Sequence, residues 1–245
     1  MRYLGGKSRI AKGITETILD NTQQRKFYLE PFVGGGAVAA KLGNNFDNCY
    51  YSDVHQDLMM LYAAIDNGWD PPRAFTEEEY KELRSAEPSP ERALAGFAGS
   101  FGGKWFGGYA RGNRPDGTPR DWIDESVRAL LRDVPKMRGK DSTEFLCQDY
   151  KYFNDFVQKY ADKTVIYCDP PYINTSKYSS TEVFDHDIFW ETMSSWSATG
   201  ASVFVSEYTA PDDIATLVWE KELRQQSSLV SQVRKMAVER LFMIK

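Results

Sequence analysis

Histidine, cysteine and long apolar runs are scarce in this 245-residue chain, and each scarcity excludes something. The 2 histidines, His55 and His186, leave a zinc site or a histidine-based nucleophile triad almost nothing to build with. The 3 cysteines, Cys49, Cys147 and Cys168, form no CxxC pair and each lies in an apolar or aromatic stretch, so all read as reduced core residues. No run of about 18 apolar residues is available to span a bilayer, and MRYLGGKSRI lacks the apolar core of a signal peptide. The expected location is the cytoplasm. A basic excess is missing too: 30 Lys and Arg face 35 Asp and Glu, a net charge of −5. An acidic chain engages a polyanion only through a local basic surface.

What is present is alternating α/β patterning. From Lys26, FYLEPFVGGGAVAAKLG reads as strand, tight turn and helix, NCYYSDV as a second strand, and HQDLMMLYAAIDNG as a helix stopped by Gly68. That is the order of a parallel, doubly wound sheet. The pattern breaks from about residue 69 to 140, where prolines and GSFGGKWFGGYARGNR dominate, with helices expected at EEEYKELRS and DWIDESVRALLRDV. It then resumes: TEFLCQDY as strand, FNDFVQKYA as helix, TVIYCDPPY as strand, IFWETMSSWS as helix, ASVFVSEY as strand, DDIATLVW as helix and MAVERLFMIK as a closing strand. The organisation expected is one sheet domain, 1–68 with 141–245, carrying an insertion at 69–140.

Three short segments carry chemistry. Glu30-Pro31-Phe32-Val33-Gly34-Gly35-Gly36-Ala37 follows a strand, and glycines there permit a tight turn and close approach of a ligand to backbone. Gly34-x-Gly36-x-x-Ala39 fits a loose dinucleotide fingerprint, and Asp53, after the next strand, can accept from ribose hydroxyls, so an adenosine-containing ligand is suggested beside a plain structural turn. Gly5-Gly6-Lys7-Ser8 imitates a phosphate loop but lacks its first glycine and its strand, leaving Lys7 to a solvated role or another one.

The decisive segment is Asp169-Pro170-Pro171-Tyr172, directly after the apolar strand Val165-Ile166-Tyr167-Cys168. Two prolines fix the backbone so that carbonyls outside the ladder can point into the cleft at the strand's carboxyl end. An exocyclic amine has its lone pair delocalised into its ring; a carboxylate and a carbonyl accepting its two N–H groups favour a tetrahedral, nucleophilic nitrogen. Tyr172 would stack on the base and hold it in line with a methyl donor. The plain alternative is a proline-rich turn.

LGGK, EPFVGGG, SD, a basic aromatic insertion, CQD, DPPY and VSEYTAP, in this order, resemble the Dam-type (D12 class) DNA adenine-N6 methyltransferases over nearly the whole chain outside the insertion. The resemblance implies a Rossmann-like methyltransferase fold with a mostly parallel sheet and one reversed strand, plus a small, mainly helical target-recognition insertion. It implies S-adenosylmethionine as cofactor and no metal. Tyr3 and Lys7 would be N-terminal cofactor contacts, with Lys7 near the methionyl carboxylate. Phe32, Gly34 and Gly36 would line methionine and ribose, Asp53 would hold the ribose, and Asp149 would lie near the adenine. Asp169 would serve both the cofactor's amino group and the target amine, with Pro170, Pro171 and Tyr172 completing the base pocket. The implied partner is double-stranded DNA, approached by a monomer or weak dimer in a bacterial or phage-infected cell.

The local basic surface exists. Residues 100–140 hold 9 basic and 5 acidic side chains, a local +4, and there Lys104, Trp105, Tyr109, Arg111 and Arg114 mix cations with aromatics suited to phosphates and base edges. A solvated helix and loop would look similar, above all from Arg128 to Lys140. After DPPY, Lys177 and Tyr178 in the polar loop Asn174-Thr175-Ser176 onward could hold a displaced strand. Three neighbouring activities remain open: RNA adenine-N6 methylation, DNA cytosine-N4 methylation and, from another class, NAD-dependent oxidation, which leaves DPPY without a role.

Overall fold

A computed structural model describes residues 1–173, 184–224 and 236–245. Along the chain the elements are α1 (Ala11–Asp20), β1 (Phe27–Glu30), α2 (Ala39–Leu42), β2 (Asn48–Ser52), α3 (Gln56–Asp66), α4 (Glu77–Ser85), α5 (Pro90–Ala98), α6 (Trp122–Asp133), β3 (Ser142–Leu146), α7 (Asn154–Tyr160), β4 (Thr164–Cys168), α8 (His186–Ala198), β5 (Ser202–Glu207), β6 (Ala215–Arg224) and β7 (Met236–Ile244).

The strands form one sheet in the order β3-β2-β1-β4-β5-β7-β6. The expected mostly parallel sheet with one reversed strand is what forms: only β7 runs against its neighbours among these strands. β1 and β4 pair directly, Leu29 opposite Ile166. From this pair the chain winds outward in both directions, so Glu30-Pro31-Phe32 and Asp169-Pro170 emerge side by side at a topological switch point, where α/β sheets bind ligands.

The central strands are apolar because both their faces are covered. Tyr28, Cys49, Tyr51, Val165, Tyr167 and Phe204 face α1, α2, α3, α5 and α6. Leu29, Ile166, Cys168, Val203 and Val205 face α7 and α8, where Phe189, Trp190, Met193 and Trp196 complete the second layer. α3 buries Leu58, Leu61, Tyr62 and Ile65 at helical spacing, and Gly68 follows with φ +87°, a conformation that suits glycine as a helix stop.

Three differences from the sequence reading stand out. DDIATLVW contains no helix; from Ala215 onward it is β6, because Thr216, Val218 and Trp219 are strand formers and reversed β7 offers them a ladder. Cys147 is exposed, whereas Cys49 and Cys168 are buried. α1 and α5 go beyond the sequence reading, and α5 has a legible start: Ser89 accepts from the Arg92 amide at 3.0 Å, with Pro90 in the first turn. Within the insertion expected at 69–140, α5 and α6 pack on the sheet domain. Ala93, Leu94, Phe97, Ala98, Ile123, Val127 and Leu130 belong to the same core cluster as α1 and α3.

Candidate active site

The glycine turn closes through Gly36 N–H donating to Val33 O at 2.8 Å, with φ of +44° at Gly34 and +67° at Gly36. Side chains pin both sides of Gly34. Its N–H donates to Asp53 Oδ2 at 3.1 Å, and its carbonyl accepts from the Tyr62 hydroxyl at 2.7 Å. Asp53 Oδ1 accepts from the His55 N–H at 3.0 Å. Burial pushes the Asp53 carboxyl up to about 6, against the lowering effect of those backbone N–H groups. The Tyr3 ring covers the turn, 3.1 Å from where a Cβ on Gly34 would stand, and its other side leans on Phe97 at a centroid distance of 5.1 Å. Tyr3, Gly34, Gly36 and Asp53 therefore come together.

Phe32 and Asp149 lie on the other side of the same edge. Phe32 packs with Tyr150 at 5.5 Å and with Phe184 and Phe189, both at 5.9 Å. Asp149 is exposed and accepts from the Lys151 N–H at 2.9 Å. Ser52 Oγ donates to Gln148 O at 2.7 Å, tying this segment to the end of β2.

Asp169 sits at the end of β4 with Lys7 Nζ 2.9 Å from Oδ1. Lys7 is buried at 9% exposure and also lies 3.6 Å from Glu239 Oε2 and 4.5 Å over the Tyr172 ring. The Tyr172 hydroxyl donates to Glu239 Oε2 at 3.1 Å, and its ring meets Tyr208 edge-on at 4.7 Å. Glu207, fully buried at the end of β5, accepts from the Ile173 N–H at 2.7 Å and from the Tyr208 N–H, holding the chain just after Tyr172. Burial pushes the Asp169 carboxyl up; Lys7 opposes that and Glu239 adds to it, and burial prevails. Burial likewise raises Glu207, and raises Glu30, which accepts from the Tyr28 hydroxyl at 2.6 Å.

Sequence reasoning placed Lys7 near a carboxylate of the cofactor; the structure puts it on the carboxylate of Asp169. It missed Tyr62, Glu207 and Glu239. The signal for the two acids was their position inside apolar strands, VFVSE and AVERLF, because an acid enclosed in a strand is rarely left unpaired.

In the insertion, Trp105 and Tyr109 are engaged in packing. Trp105 lies on α5, where a Cβ on Gly96 would stand 2.3 Å from its ring, and Tyr109 donates its hydroxyl to Phe75 O at 2.6 Å. Arg92 anchors this region to α3 through the buried Asp57 carboxylate at 2.9 Å. Lys104 is exposed with no ion pair among the described residues, Arg111 pairs with Glu77, and Arg114 lies 3.8 Å from Glu125. Lys177 and Tyr178, with Asn174, Thr175 and Ser176, lie outside the described residues.

The residues fit S-adenosylmethionine. Asp53 uses both carboxylate oxygens on backbone N–H groups yet keeps lone pairs for ribose hydroxyls, the Phe32 cluster offers an aromatic wall, and Lys7 and Asp169 present charges complementary to a zwitterionic methionine. A pinned glycine turn and a ribose-type acid on one side of the switch point, with Asp-Pro-Pro-Tyr on the other, define the class: an S-adenosylmethionine-dependent methyltransferase.

Within that class the chain belongs to the D12 class of N6 adenine-specific DNA methyltransferases, whose family model matches residues 3–93 and 108–236. It is 28% identical over 190 residues to the Type II methyltransferase M.CviBI of Paramecium bursaria Chlorella virus NC1A, covering 70% of this chain and 68% of that protein. It is 26% identical over 196 residues to the DNA adenine methylase of Haemophilus influenzae, covering 70% and 63%. No helix among the described residues is long and apolar enough to cross a membrane.

Proposed function

We propose that the chain methylates the exocyclic N6 amine of an adenine turned out of a specific site in double-stranded DNA, and that it acts in the cytoplasm as a monomer or weak dimer. The observation that carries this reading is the Asp169 carboxylate, held at the switch point beside Lys7 and the Tyr172 ring. S-adenosylmethionine, when bound, supplies an electrophilic methyl group. Asp169 accepts one N–H of the target amine and the Pro170 carbonyl the other, which draws the lone pair out of the ring; Pro171 keeps the turn rigid, and Tyr172 stacks on the base. The nitrogen sheds one proton on methylation, and burial gives Asp169 the raised proton affinity to take it.

Tyr3, Lys7, Phe32, Gly34, Gly36, Asp53 and Asp149 are proposed cofactor contacts. Residues 69–140 are proposed as the target-recognition region, with Lys104, Arg111 and Arg114 reaching the phosphates and Trp105 and Tyr109 shaping the loop that carries them. Turning the base out is required because N6 cannot meet a donor inside the stacked duplex.

The test is Asp169→Asn in a single-turnover assay with tritiated methyl donor and duplex DNA. The rate should fall by roughly 100-fold or more while the melting temperature holds, and undiminished transfer would overturn the mechanism. Digestion of the product to nucleosides separates N6-methyladenine from N4-methylcytosine, and a matched RNA duplex separates the nucleic acids.

A further inference from the structure

The geometry points to Glu239 as a positioning residue for methyl transfer: from the reversed strand it fixes the Tyr172 hydroxyl and shares the Lys7 ammonium with Asp169, keeping that carboxylate available to the amine. The inference rests on the methyl-transfer reading above.

Its origin is topological. β7 is antiparallel to β5 and β6, so its amino-terminal half lies at the sheet edge where the parallel strands have their carboxyl ends. The β5–β7 pairing reaches Glu207 opposite Arg240, and Glu239 stands one residue further, beside the Asp-Pro-Pro-Tyr turn. Arg240 points elsewhere, to Glu220 at 3.2 Å and Tyr208 O at 2.6 Å. The Glu239 side chain is 15% exposed, and a single oxygen, Oε2, makes both contacts: 3.1 Å to the Tyr172 hydroxyl and 3.6 Å to Lys7 Nζ. An acid this enclosed needs such partners.

The two contacts have different consequences. The first anchors the tip of the ring expected to stack on the base. The second divides one cation between two acids. Charged and titratable groups face Asp169 from every side: Lys7 from the N-terminal segment, Glu239 from β7, Glu30 from β1, Tyr167 from β4, Glu207 from β5 and Tyr172 from its own turn. Among the described residues Lys7 is the one cation in that set. Without Glu239 more of its charge would fall on Asp169, and a tightly paired carboxylate is a weaker acceptor for an amine N–H.

Glu239→Gln is the informative variant, because it keeps an acceptor for Tyr172 and removes the charge. The methyl-transfer rate is measured in single turnovers across pH, with donor affinity by calorimetry and the melting temperature of the donor-free protein alongside. At neutral pH the rate should fall roughly 10- to 100-fold, the scale of losing a residue that orients a reacting group. Donor affinity should stay within about threefold. The acidic limb of the profile reports the proton leaving Asp169. Removing the neighbouring negative charge favours ionised Asp169, so the limb should move to lower pH, and Glu239→Asp, which restores the charge, should move it back. In a Tyr172→Phe background, Glu239→Ala should cost less than in the wild type, because one of its two contacts is already gone.

A slowed Glu239→Gln enzyme with an unmoved limb and a lowered melting temperature would mean a structural role and overturn the inference, as would undiminished activity. If Glu239→Gln does not fold, Glu239→Asp and the Tyr172→Phe background decide alone, and a shifted limb in Glu239→Asp or full additivity in that background refutes the proposal. A wild type that methylates no adenine overturns the functional reading instead, since that outcome precedes any variant.

Discussion

Lys7→Met removes the cation that Asp169 and Glu239 share and leaves an apolar chain of similar length. The wild-type contacts are 2.9 and 3.6 Å, and the three side chains are 9%, 21% and 15% exposed. Deleting one partner of a buried ion pair costs about 3–5 kcal/mol because the other charge is stranded. Water reaches Asp169 in part, so about 2–3 kcal/mol is expected at pH 8. Of this, up to about 1 kcal/mol is the lost contact of the ammonium with the Tyr172 ring and does not depend on carboxylate titration.

The remainder depends on pH, and its sign follows from linkage. Burial already raises the Asp169 carboxyl in the folded protein, and losing Lys7 raises it further. A carboxyl raised on folding contributes stability below its unfolded value and loses it as pH climbs through the folded value. The gap between wild type and variant should therefore be smaller at acid pH and grow as pH rises. Urea unfolding followed by circular dichroism at pH 5 and pH 8 measures it. Equal destabilisation at the two pH values would refute the account of Lys7 as a counter-charge and leave it a packing residue.

Tyr62→Phe should cost about 1–2 kcal/mol and weaken donor binding, because the Gly34 carbonyl loses a 2.7 Å bond; unchanged donor affinity by calorimetry would count against the pinned turn as a cofactor site. Trp105→Ala should lower stability by roughly 3 kcal/mol in urea unfolding, since its ring packs on Phe97 at 4.7 Å, Phe106 at 4.7 Å and His55 at 4.2 Å. Lys104→Ala should leave stability unchanged and reduce the slope of log affinity for duplex DNA against log salt by about 1, measured by anisotropy at several salt concentrations. An unaltered slope would place the phosphate contacts elsewhere.

Much of the fold and part of the site were legible in the residues themselves. FYLE, NCYYS, TVIYC and SVFVSE announce buried parallel strands because apolar runs of that length have few other uses, and Asp53 and Asp169 stand directly behind two of them. α5 was harder to read because its polar residues, Glu91 and Arg92, are confined to its first turn, while each of its last six residues, ALAGFA, is small or apolar and buried. β6 was misread because Asp212-Asp213 mimics a helix start, while the ladder that makes the segment a strand comes from pairing with β7, the next strand in the chain. The aromatics of the insertion looked alike in sequence. Packing sorted them, turning Trp105 onto α5 and leaving Lys104 outside.

The sequence by itself determined the strand–helix alternation from β1 to α3 and from β3 to β5, the glycine turn after β1, the Asp-Pro-Pro-Tyr after β4 and a +4 region within a chain of net −5. Each of these is a local property, carried by neighbouring residues and their spacing. Tertiary structure decided which charges meet. It brought Lys7, Asp169 and Glu239, from the two ends and the middle of the chain, within 3.6 Å of one ammonium. It also tied up much of the insertion's positive charge in pairs such as Arg120–Glu125 and Arg128–Asp124, both at 2.7 Å. Net charge counts residues, whereas attraction falls with distance and screening, so where the charges stand had to come from the fold.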